Sequence, residues 1–427
     1  MKTMTLSNRI TLWLILGLSL AYFLIFSIPN SRGADTEQML QSTSLDEPVN
    51  YPYVVRMLMP AQDLKDLFSR WILYADYHYG YPFYFLSSAV LLPVRWAFGA
   101  HFTDHTGLNL LLLRQLISVL PMLLAVVLLV YMQTRFRSAA RAVGLLVILL
   151  TVRGIVRNNL QWWHPDALSV LAVILTLFFL QRDRLRFQRD FWLAAVTCGV
   201  AMGIKLAGFF FFLTIPAYLL SGLYLHHISF KKVTLLAMAF VIVAGATLVV
   251  SNPFLYSQGG RNDLVKIQKV KQVELSQGYT HDDPKYYAKG PAWWDYTLRL
   301  WYGNAFFLGF ALLSLLVGCL WGDQTLLNRL ILSWIVPFSI YLLYFVAPKP
   351  DHYWLPVMLP LLSTLLNIPI ALHHNLIPWL QPRPGIRRAL LVLTILILGS
   401  YLLANFLRPG TGILTLFKNA LAIEGLT

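Results

Sequence analysis

Residues 233–251 read VTLLAMAFVIVAGATLVVS, an apolar run of 19 residues without a charged side chain. A helix of about 20 apolar residues crosses the hydrocarbon core of a bilayer. Lys231 and Lys232 come immediately before this run. Because Lys and Arg concentrate in the cytoplasmic loops of membrane proteins, the stretch predicts a spanning helix that starts at the cytoplasmic face.

The composition of the whole chain is also that of a membrane protein. Of its 427 residues, 57% are hydrophobic and 12% are charged, whereas a soluble domain carries about 25% charged residues. The formal net charge of +15 would suggest a nucleic-acid partner in a soluble protein. Here the basic residues lie mostly in short loops between apolar runs, so we predict no nucleic-acid binding. Cys198 and Cys319 lie inside apolar runs, which argues against a disulfide framework.

Similar apolar runs recur and predict an all-α polytopic membrane protein with about 11 transmembrane helices. The segment 191–224 is too long for one span, contains Lys205 and has basic loops on both sides. We interpret it as two short helices that meet at Lys205 on the outer side. The other predicted spans are 10–28, 108–132, 142–156, 167–180, 233–251, 305–320, 330–346, 354–372 and 389–407.

The apolar segment 82–98 decides the topology. If it crossed the membrane, four clusters of basic residues would face outward, against the usual charge bias. Its aromatic residues and Arg95 suit a helix that lies in the membrane interface instead. We therefore predict one membrane domain over residues 1–427, with the amino terminus inside and the carboxyl terminus outside. Two large outer loops follow from this topology, 29–107 with interfacial helices and 252–304.

Acidic residues are few, so their positions are informative. Asp46 and Glu47 lie in the first outer loop, and Asp166 opens a predicted span. A carboxylate there is costly unless it faces water or a partner, although the amino end of a helix stabilises an anion. Considered alone, Asp166 could be a helix cap, and the Asp46–Glu47 pair could be solvated loop residues.

Cations accompany these acids on the predicted outer side. Lys205 lies in an apolar stretch, where a snorkelling lysine is the alternative explanation, and Arg114 falls in the first turns of a helix. Cations can hold a phosphate leaving group, while a carboxylate deprotonates an acceptor hydroxyl, so the combination suits a lipid-linked phosphate substrate. His164 and His352 could be ligands or substrate contacts, and the sequence does not rank them.

The second outer loop has a basic stretch with Lys266, Lys269 and Lys271. We interpret this stretch as an amphipathic helix that rests on anionic lipid headgroups. The sequence His-Asp-Asp at 281–283 follows it. Three adjacent ligands rarely share one ion, so we predict no metal site there.

Several short motifs occur in an order that resembles one family. They are LDEPVNYPYVVRML (45–58), YHYGYPFYFLSSAVLLPVRWAFGA (77–100), WWHPDAL (162–168), AMGIKLAG (201–208) and PKPDHYWLPVMLPLL (348–362). The arrangement resembles the C superfamily of glycosyltransferases (GT-C), and within it the bacterial protein O-mannosyltransferase and aminoarabinose-transferase branch. The resemblance covers the chain to about Leu372. Tyr81-Pro82 replaces the family's Pro-Pro, and His352 replaces its Arg, which puts substrate identity in question more than the class of reaction.

The resemblance implies an inverting transfer of a sugar from a polyprenyl-phosphate-linked donor to an acceptor hydroxyl on a lipid, glycan or protein. It implies Asp46 as the general base and Asp166 as the residue that positions acceptor or sugar. Lys205 would bind the lipid phosphate. Further substrate contacts are expected from Glu47, Arg114, His164, His352 and Tyr353. No cofactor is firmly implied, and a divalent cation stays open. The family branch suggests a bacterial inner membrane, with the site facing the periplasm. Membrane lipids are then expected partners.

Two other classes of function stay open. A transporter or flippase of a lipid-linked or anionic solute should contain repeats and broken helices near the midplane, but the sequence shows no repeat. A non-catalytic scaffold would leave Asp46, Asp166 and Lys205 unexplained. The WWDY sequence at 293–296 is similar to the oligosaccharyltransferase signature, which in that family lies in a large soluble domain, and we assign it no role.

Overall fold

The computed structural model describes residues 6–34, 40, 46–74, 77–278 and 287–422, so the His-Asp-Asp sequence at 281–283 lies outside the described residues. All regular structure in the described ranges is helical, which agrees with the predicted all-α class. The α-helices of these ranges, numbered in chain order, are α1 (Leu6–Asn30), α2 (Glu47–Leu58), α3 (Leu64–Ile72), α4 (Tyr81–Phe98), α5 (Thr106–Leu113), α6 (Leu120–Thr134), α7 (Ala139–Leu150), α8 (Arg153–Asn159), α9 (Asp166–Asp183), α10 (Arg189–Lys205), α11 (Thr214–Tyr224), α12 (Phe230–Val250), α13 (Gln258–Gln277), α14 (Pro291–Trp301), α15 (Ala305–Trp321), α16 (Thr325–Phe345), α17 (Leu355–Leu362), α18 (Asn367–His373), α19 (Pro384–Leu407) and α20 (Ile413–Leu421).

Helices of membrane-spanning length make up most of the fold. In the described ranges, seven helical segments are long and apolar enough to cross a membrane, and nine if two bent pairs each count as one span. The bent pairs are α7 with α8, at 64°, and α14 with α15, at 89°. The chain is therefore a multi-pass membrane protein, but the predicted count of 11 is not confirmed. The difference lies in α9 and α10, which have 18 and 17 residues and carry charged residues at both ends.

The sequence left two segments open to more than one interpretation, 191–224 and 82–98, and the structure decides only the first. Residues 191–224 are divided as predicted, because α10 ends at Lys205 and a 3₁₀ turn, Ala207–Phe212, leads into α11. Tyr81–Thr134 is one continuous helical segment that counts as a single candidate span. The interfacial position of residues 82–98 stays a prediction.

The loops rich in basic residues share one end of the helix bundle. Arg141 Nη2 lies 2.8 Å from His374 Nε2, which joins the start of α7 to the end of α18. Gln181 Nε2 donates to Gln324 Oε1 at 2.9 Å, which brings the end of α9 to the loop between α15 and α16. Arg137 and Gln324 line one small cavity at this end. A common end for these loops is what the charge-based topology requires.

A glycine fixes the first predicted outer loop to the opposite end of the bundle. A Cβ atom at Gly80 would lie 1.4 Å from the carbonyl oxygen of Gly203, so only glycine fits this contact. The Tyr81 backbone N–H also donates to Asn252 Oδ1 at 2.9 Å, and Asn252 is the second residue after α12. The loop before α4 is thereby held against the last turn of α10, beside Lys205.

Candidate active site

Asp166 and Lys205 form an ion pair at this end of the bundle. Asp166 is the first residue of α9, and Lys205 is the last residue of α10, where Leu206 takes up a left-handed conformation with φ of 55°. Lys205 Nζ lies 2.5 Å from Asp166 Oδ1, and the two side chains are 24% and 4% exposed. Pro165 occupies the cap position of α9, without a side-chain hydrogen bond. The helix-cap interpretation of Asp166 is therefore wrong, and a lysine holds the carboxylate instead.

Two histidines lie beside the same carboxylate. His164 Nδ1 contacts Asp166 Oδ2, and His352 Nε2 is 3.8 Å from that oxygen. The Tyr79 hydroxyl is 2.7 Å from His164 Nε2. Lys205 Nζ and His164 Nδ1 therefore each lie against one oxygen of the Asp166 carboxylate.

The ring of Trp162 joins Asp46 to this cluster. Trp162 Nε1 donates to Asp46 Oδ2 at 3.1 Å, while its ring stacks on His164 with 4.7 Å between centroids. The same ring meets His352 edge-on, also at 4.7 Å. Asp46 is half-buried and its side chain does not cap α2. No described residue donates to Asp46 Oδ1, so this carboxylate keeps an acceptor oxygen for another partner.

Glu47 and Arg114 form a separate pair that is completely buried. Arg114 Nε and Nη2 donate to the two Glu47 oxygens at 2.8 and 2.6 Å, and both side chains are 0% exposed. Glu47 Oε1 also accepts the Trp163 backbone N–H at 2.7 Å. Arg114 Nη1 donates to the backbone carbonyls of Asn30 and Arg32. The pair ties the start of α2, the end of α1 and the segment before α9 to one another.

Most residues that the sequence singled out fall into one network of contacts. Lys205 Nζ is 5.2 Å from the ring centroid of Tyr353, so Tyr353 also belongs to this network. The structure brings together Asp46, Asp166, Lys205, His164, His352 and Tyr353, with the Glu47–Arg114 pair attached through Trp163. What each of these residues does for a substrate stays a prediction.

Sequence reasoning gave no role to two members of this network, Trp162 and Tyr79. Both lie in the motifs that carry the resemblance, but an aromatic side chain in a membrane protein usually packs against its neighbours and has no functional role. Trp162 comes two residues before His164, and Tyr79 comes directly before Gly80. The sequence signal that could have indicated a role for Trp162 and Tyr79 was their closeness to polar residues of the same motifs.

A metal ion does not fit this cluster well. In the described ranges, no three His, Cys, Asp or Glu side chains are arranged to hold an ion. The Lys205 ammonium lies on one oxygen of Asp166 and His164 Nδ1 lies against the other, so a metal ion would have to displace one of these two groups. We therefore assign no step of the chemistry to a metal.

The fold is similar to that of known membrane enzymes. The archaeal oligosaccharyltransferase AglB from Archaeoglobus fulgidus, in complex with an inhibitory peptide and a dolichol-phosphate, aligns with a TM-score of 0.52 and 11% identity, over 95% of this chain and 56% of that one. The apo crystal structure of the Archaeoglobus fulgidus oligosaccharyltransferase aligns with a TM-score of 0.47 and 13% identity, over 94% and 56%. This chain thus spans little more than half the length of either neighbour. No protein-family model and no curated protein sequence matches it.

At 11% identity, this similarity establishes the fold and nothing further. The chain is an all-α, multi-pass membrane protein whose helical fold is similar to that of the archaeal oligosaccharyltransferase, a GT-C enzyme. The membership of this chain in the expected superfamily stays a prediction. The protein O-mannosyltransferase branch is not confirmed.

Proposed function

We propose that this protein is a membrane glycosyltransferase that moves a sugar from a polyprenyl-phosphate-linked donor to an acceptor hydroxyl, with inversion at the anomeric carbon. One observation carries the proposal: Asp46, Trp162, His164, Asp166 and Lys205 form a continuous chain of contacts at one end of a GT-C-type helix bundle. A half-buried carboxylate and a partly exposed ammonium in one cluster are what such a transfer requires.

Asp46 is the proposed general base. Its Oδ1 has no donor among the described residues, and the Trp162 indole holds its Oδ2 in place. In a single displacement, the acceptor oxygen attacks the anomeric carbon while the bond from that carbon to the phosphate oxygen breaks. Asp46 takes the proton of the acceptor hydroxyl, and the lipid phosphate leaves with the bonding electrons. Proton removal by a positioned carboxylate typically contributes about 10²- to 10⁴-fold to the rate.

Asp166 and Lys205 have different proposed roles. Because Lys205 Nζ and His164 Nδ1 lie against its two oxygens, Asp166 suits positioning better than proton transfer. It orients Lys205 and, through His164, the Trp162 ring that holds Asp46. The ammonium of Lys205, whose side chain is 24% exposed, then stabilises the negative charge that develops on the departing phosphate.

The buried Glu47–Arg114 pair has a proposed role as a support. Neither side chain is exposed, so we now propose that both act through the backbone of Trp163 rather than on the substrate. His352 and Tyr353 lie beside Asp166 and Lys205 and are the proposed contacts of the sugar. The acceptor can be a lipid, a glycan or a protein.

The proposed location is a bacterial inner membrane, with the site facing the periplasm. The common end of the basic loops supports that orientation, because the site lies at the other end. Mass spectrometry of cell-surface glycans and glycolipids tests the function directly. Cells without the protein should lack one sugar substituent, which wild-type protein restores and Asp46→Asn does not. Identical profiles with and without the protein would rule out the proposal. Altered uptake of an anionic solute with unchanged glycans would favour a transporter.

A further inference from the structure

A tight turn comes directly before Trp162 and sets the direction in which its side chain leaves the backbone. Gln161 in this turn has a left-handed conformation, with φ of 49°. Residues other than glycine adopt that conformation at a cost and keep it only where their surroundings hold them. Trp162 Nε1 is the group that donates to Asp46 Oδ2. The contacts that hold Gln161 therefore affect the position of the proposed base.

The end of α1 supplies the first of these contacts. Asn30 is the last residue of α1, and its side chain is completely buried. Asn30 Oδ1 accepts the Gln161 backbone N–H at 2.6 Å, and Asn30 Nδ2 donates to the Asn159 carbonyl oxygen at 3.0 Å. One buried amide thus bonds to two backbone groups of the turn and holds them in a fixed arrangement.

The end of α20, the last helix in the described ranges, supplies the second contact. Gln161 Nε2 donates to the Ala420 carbonyl oxygen at 3.0 Å. Ala420 lies in the last turn of α20, where the carbonyl groups have no partner inside the helix. The resemblance described above extends only to about Leu372, so this contact comes from a part of the chain outside those motifs.

Apolar packing holds α20 in this position. The face of α20 that packs against the ends of α1 and α8 belongs to one apolar cluster, formed by Ile413, Leu416, Phe417 and Ala420 with Phe26, Val119, Val156 and Leu160. The Phe417 ring meets the Phe26 ring edge-on, with 5.0 Å between centroids. Leu414 lies off this face and is 60% exposed. The helix is therefore docked through Phe417 and its neighbours and not through Leu414.

We infer that Gln161 is a positioning residue for the proposed base, and that the ends of α1 and α20 hold it in this role. Without its contact to Ala420, the left-handed turn can relax, and the Trp162 indole then no longer holds Asp46 in one orientation. A displacement of about 1 Å in a reacting group can cost about 10²-fold in rate. This inference rests on the proposed function and extends the site to a helix that lies far along the chain.

Transfer kinetics of the full-length protein in detergent test this role. Gln161→Met keeps the length of the side chain and removes its donor, so kcat should fall about tenfold, less than for a full displacement because Asn30 still holds the turn. The donor KM should stay within about twofold of wild type, because the contact of Lys205 with Asp166 is unchanged. Gel filtration and the unfolding temperature confirm that the variant is folded.

Two variants of α20 form a matched pair. Phe417→Ala removes the ring that packs on Phe26 and should lower kcat in the same direction as Gln161→Met. Leu414→Ala removes apolar volume from an exposed position of the same helix and should keep the wild-type kcat. An equal loss in Leu414→Ala would contradict the role of the docked face.

A double variant separates positioning from a general loss of structure. Trp162→Phe removes the indole donor to Asp46. If Gln161 acts through Trp162, adding Gln161→Met to Trp162→Phe should lower kcat by less than about twofold further. A second loss of about tenfold in that background would mean that Gln161 does not act through Trp162, and the inference would be wrong.

Amide hydrogen exchange of residues 159–163 gives a measurement that does not depend on transfer. Exchange should be faster in Gln161→Met and Phe417→Ala than in wild type and Leu414→Ala, because the turn is less firmly held. Unchanged exchange in Gln161→Met would overturn the inference. If wild type transfers no sugar, the proposed function fails and this role fails with it. If wild type transfers sugar and Gln161→Met transfers it at the same rate, only this inference fails.

Discussion

Lys205 Nζ and Asp166 Oδ1, 2.5 Å apart, join the carboxyl end of α10 to the amino end of α9. Each charge lies at the helix end whose dipole favours it, since the amino end stabilises an anion and the carboxyl end a cation. The same ion pair therefore stabilises two neighbouring helices and holds the Lys205 ammonium in place at the candidate site. Stability and the proposed donor binding therefore both depend on this contact.

Replacing Lys205 alone should reveal that link. Lys205→Met leaves Asp166 buried without its counter-charge and should cost about 1–3 kcal/mol, less than the 3–5 kcal/mol of fully buried pairs because Lys205 is partly exposed. The double variant Lys205→Met/Asp166→Asn should regain most of that stability. Unfolding temperatures in detergent micelles measure the change in stability, and the KM for the donor measures the change in donor binding. A single variant with wild-type unfolding temperature and KM would refute both roles of Lys205.

The buried Glu47–Arg114 pair gives a contrasting expectation. Arg114→Met removes the ion-pair partner of the Glu47 carboxylate, which is 0% exposed. We therefore expect the free energy of unfolding to fall by about 3–5 kcal/mol and the yield of folded protein to be low. Glu47→Gln/Arg114→Met should be more stable than Arg114→Met alone. Donor KM of the folded fraction should stay near the wild-type value. A raised KM at unchanged stability would instead mean that Arg114 contacts the substrate.

The cluster could be predicted from the sequence only in part. Scarce acids at Asp46 and Asp166, a lone Lys205 and the order of the motifs were enough to place these three residues together. The link through Trp162 was not predictable, because an indole that bridges a carboxylate and an imidazole has the same sequence signal as an indole in the core. The burial of Glu47 beside Arg114 was equally hidden, since an acid in a loop is ordinarily solvated.

Lys349 gives a prediction that depends on pH. Burial, and to a smaller extent the nearby Lys289, lowers the pKa of Lys349 from 10.5 to about 8. Between pH 8 and 10.5 the unfolded chain keeps a proton that the folded protein has lost, so stability rises with pH in that window. The unfolding temperature of wild type, relative to Lys349→Met, should therefore increase from pH 8 to pH 10. A difference that is constant or falls would contradict a lowered pKa.

The topology can be tested with single cysteines. Asp104 lies in the first predicted outer loop with a 67% exposed side chain, and Arg184 lies in an exposed basic loop at the other end of the bundle. The native Cys198 and Cys319 are buried and can be replaced by alanine. A membrane-impermeant maleimide should label Asp104→Cys in intact cells and Arg184→Cys only after permeabilisation. Labelling of both from the same side would mean that the number of spans between them is wrong.

The span count shows a second limit of the sequence. Apolar length and flanking charge located nine of the predicted spans, counting the two bent pairs. The remaining two correspond to α9 and α10, which are short because their ends carry the charges of the site and of the basic loop, Asp166, Lys205 and Arg189 among them. Charged residues at the ends of a helix shorten the apolar run that identifies a span.

Transfer by the purified protein tests the role of Asp46 most directly. Asp46→Asn keeps the shape of the side chain but removes its basicity, and Asp104→Asn provides a control for the same change in the same loop. With a polyprenyl-phosphate sugar as donor, Asp104→Asn should transfer at the wild-type rate, and Asp46→Asn should be slower by at least about 10²-fold with an unchanged unfolding temperature. Full activity of folded Asp46→Asn would remove that carboxylate from the mechanism and contradict the account given for this site.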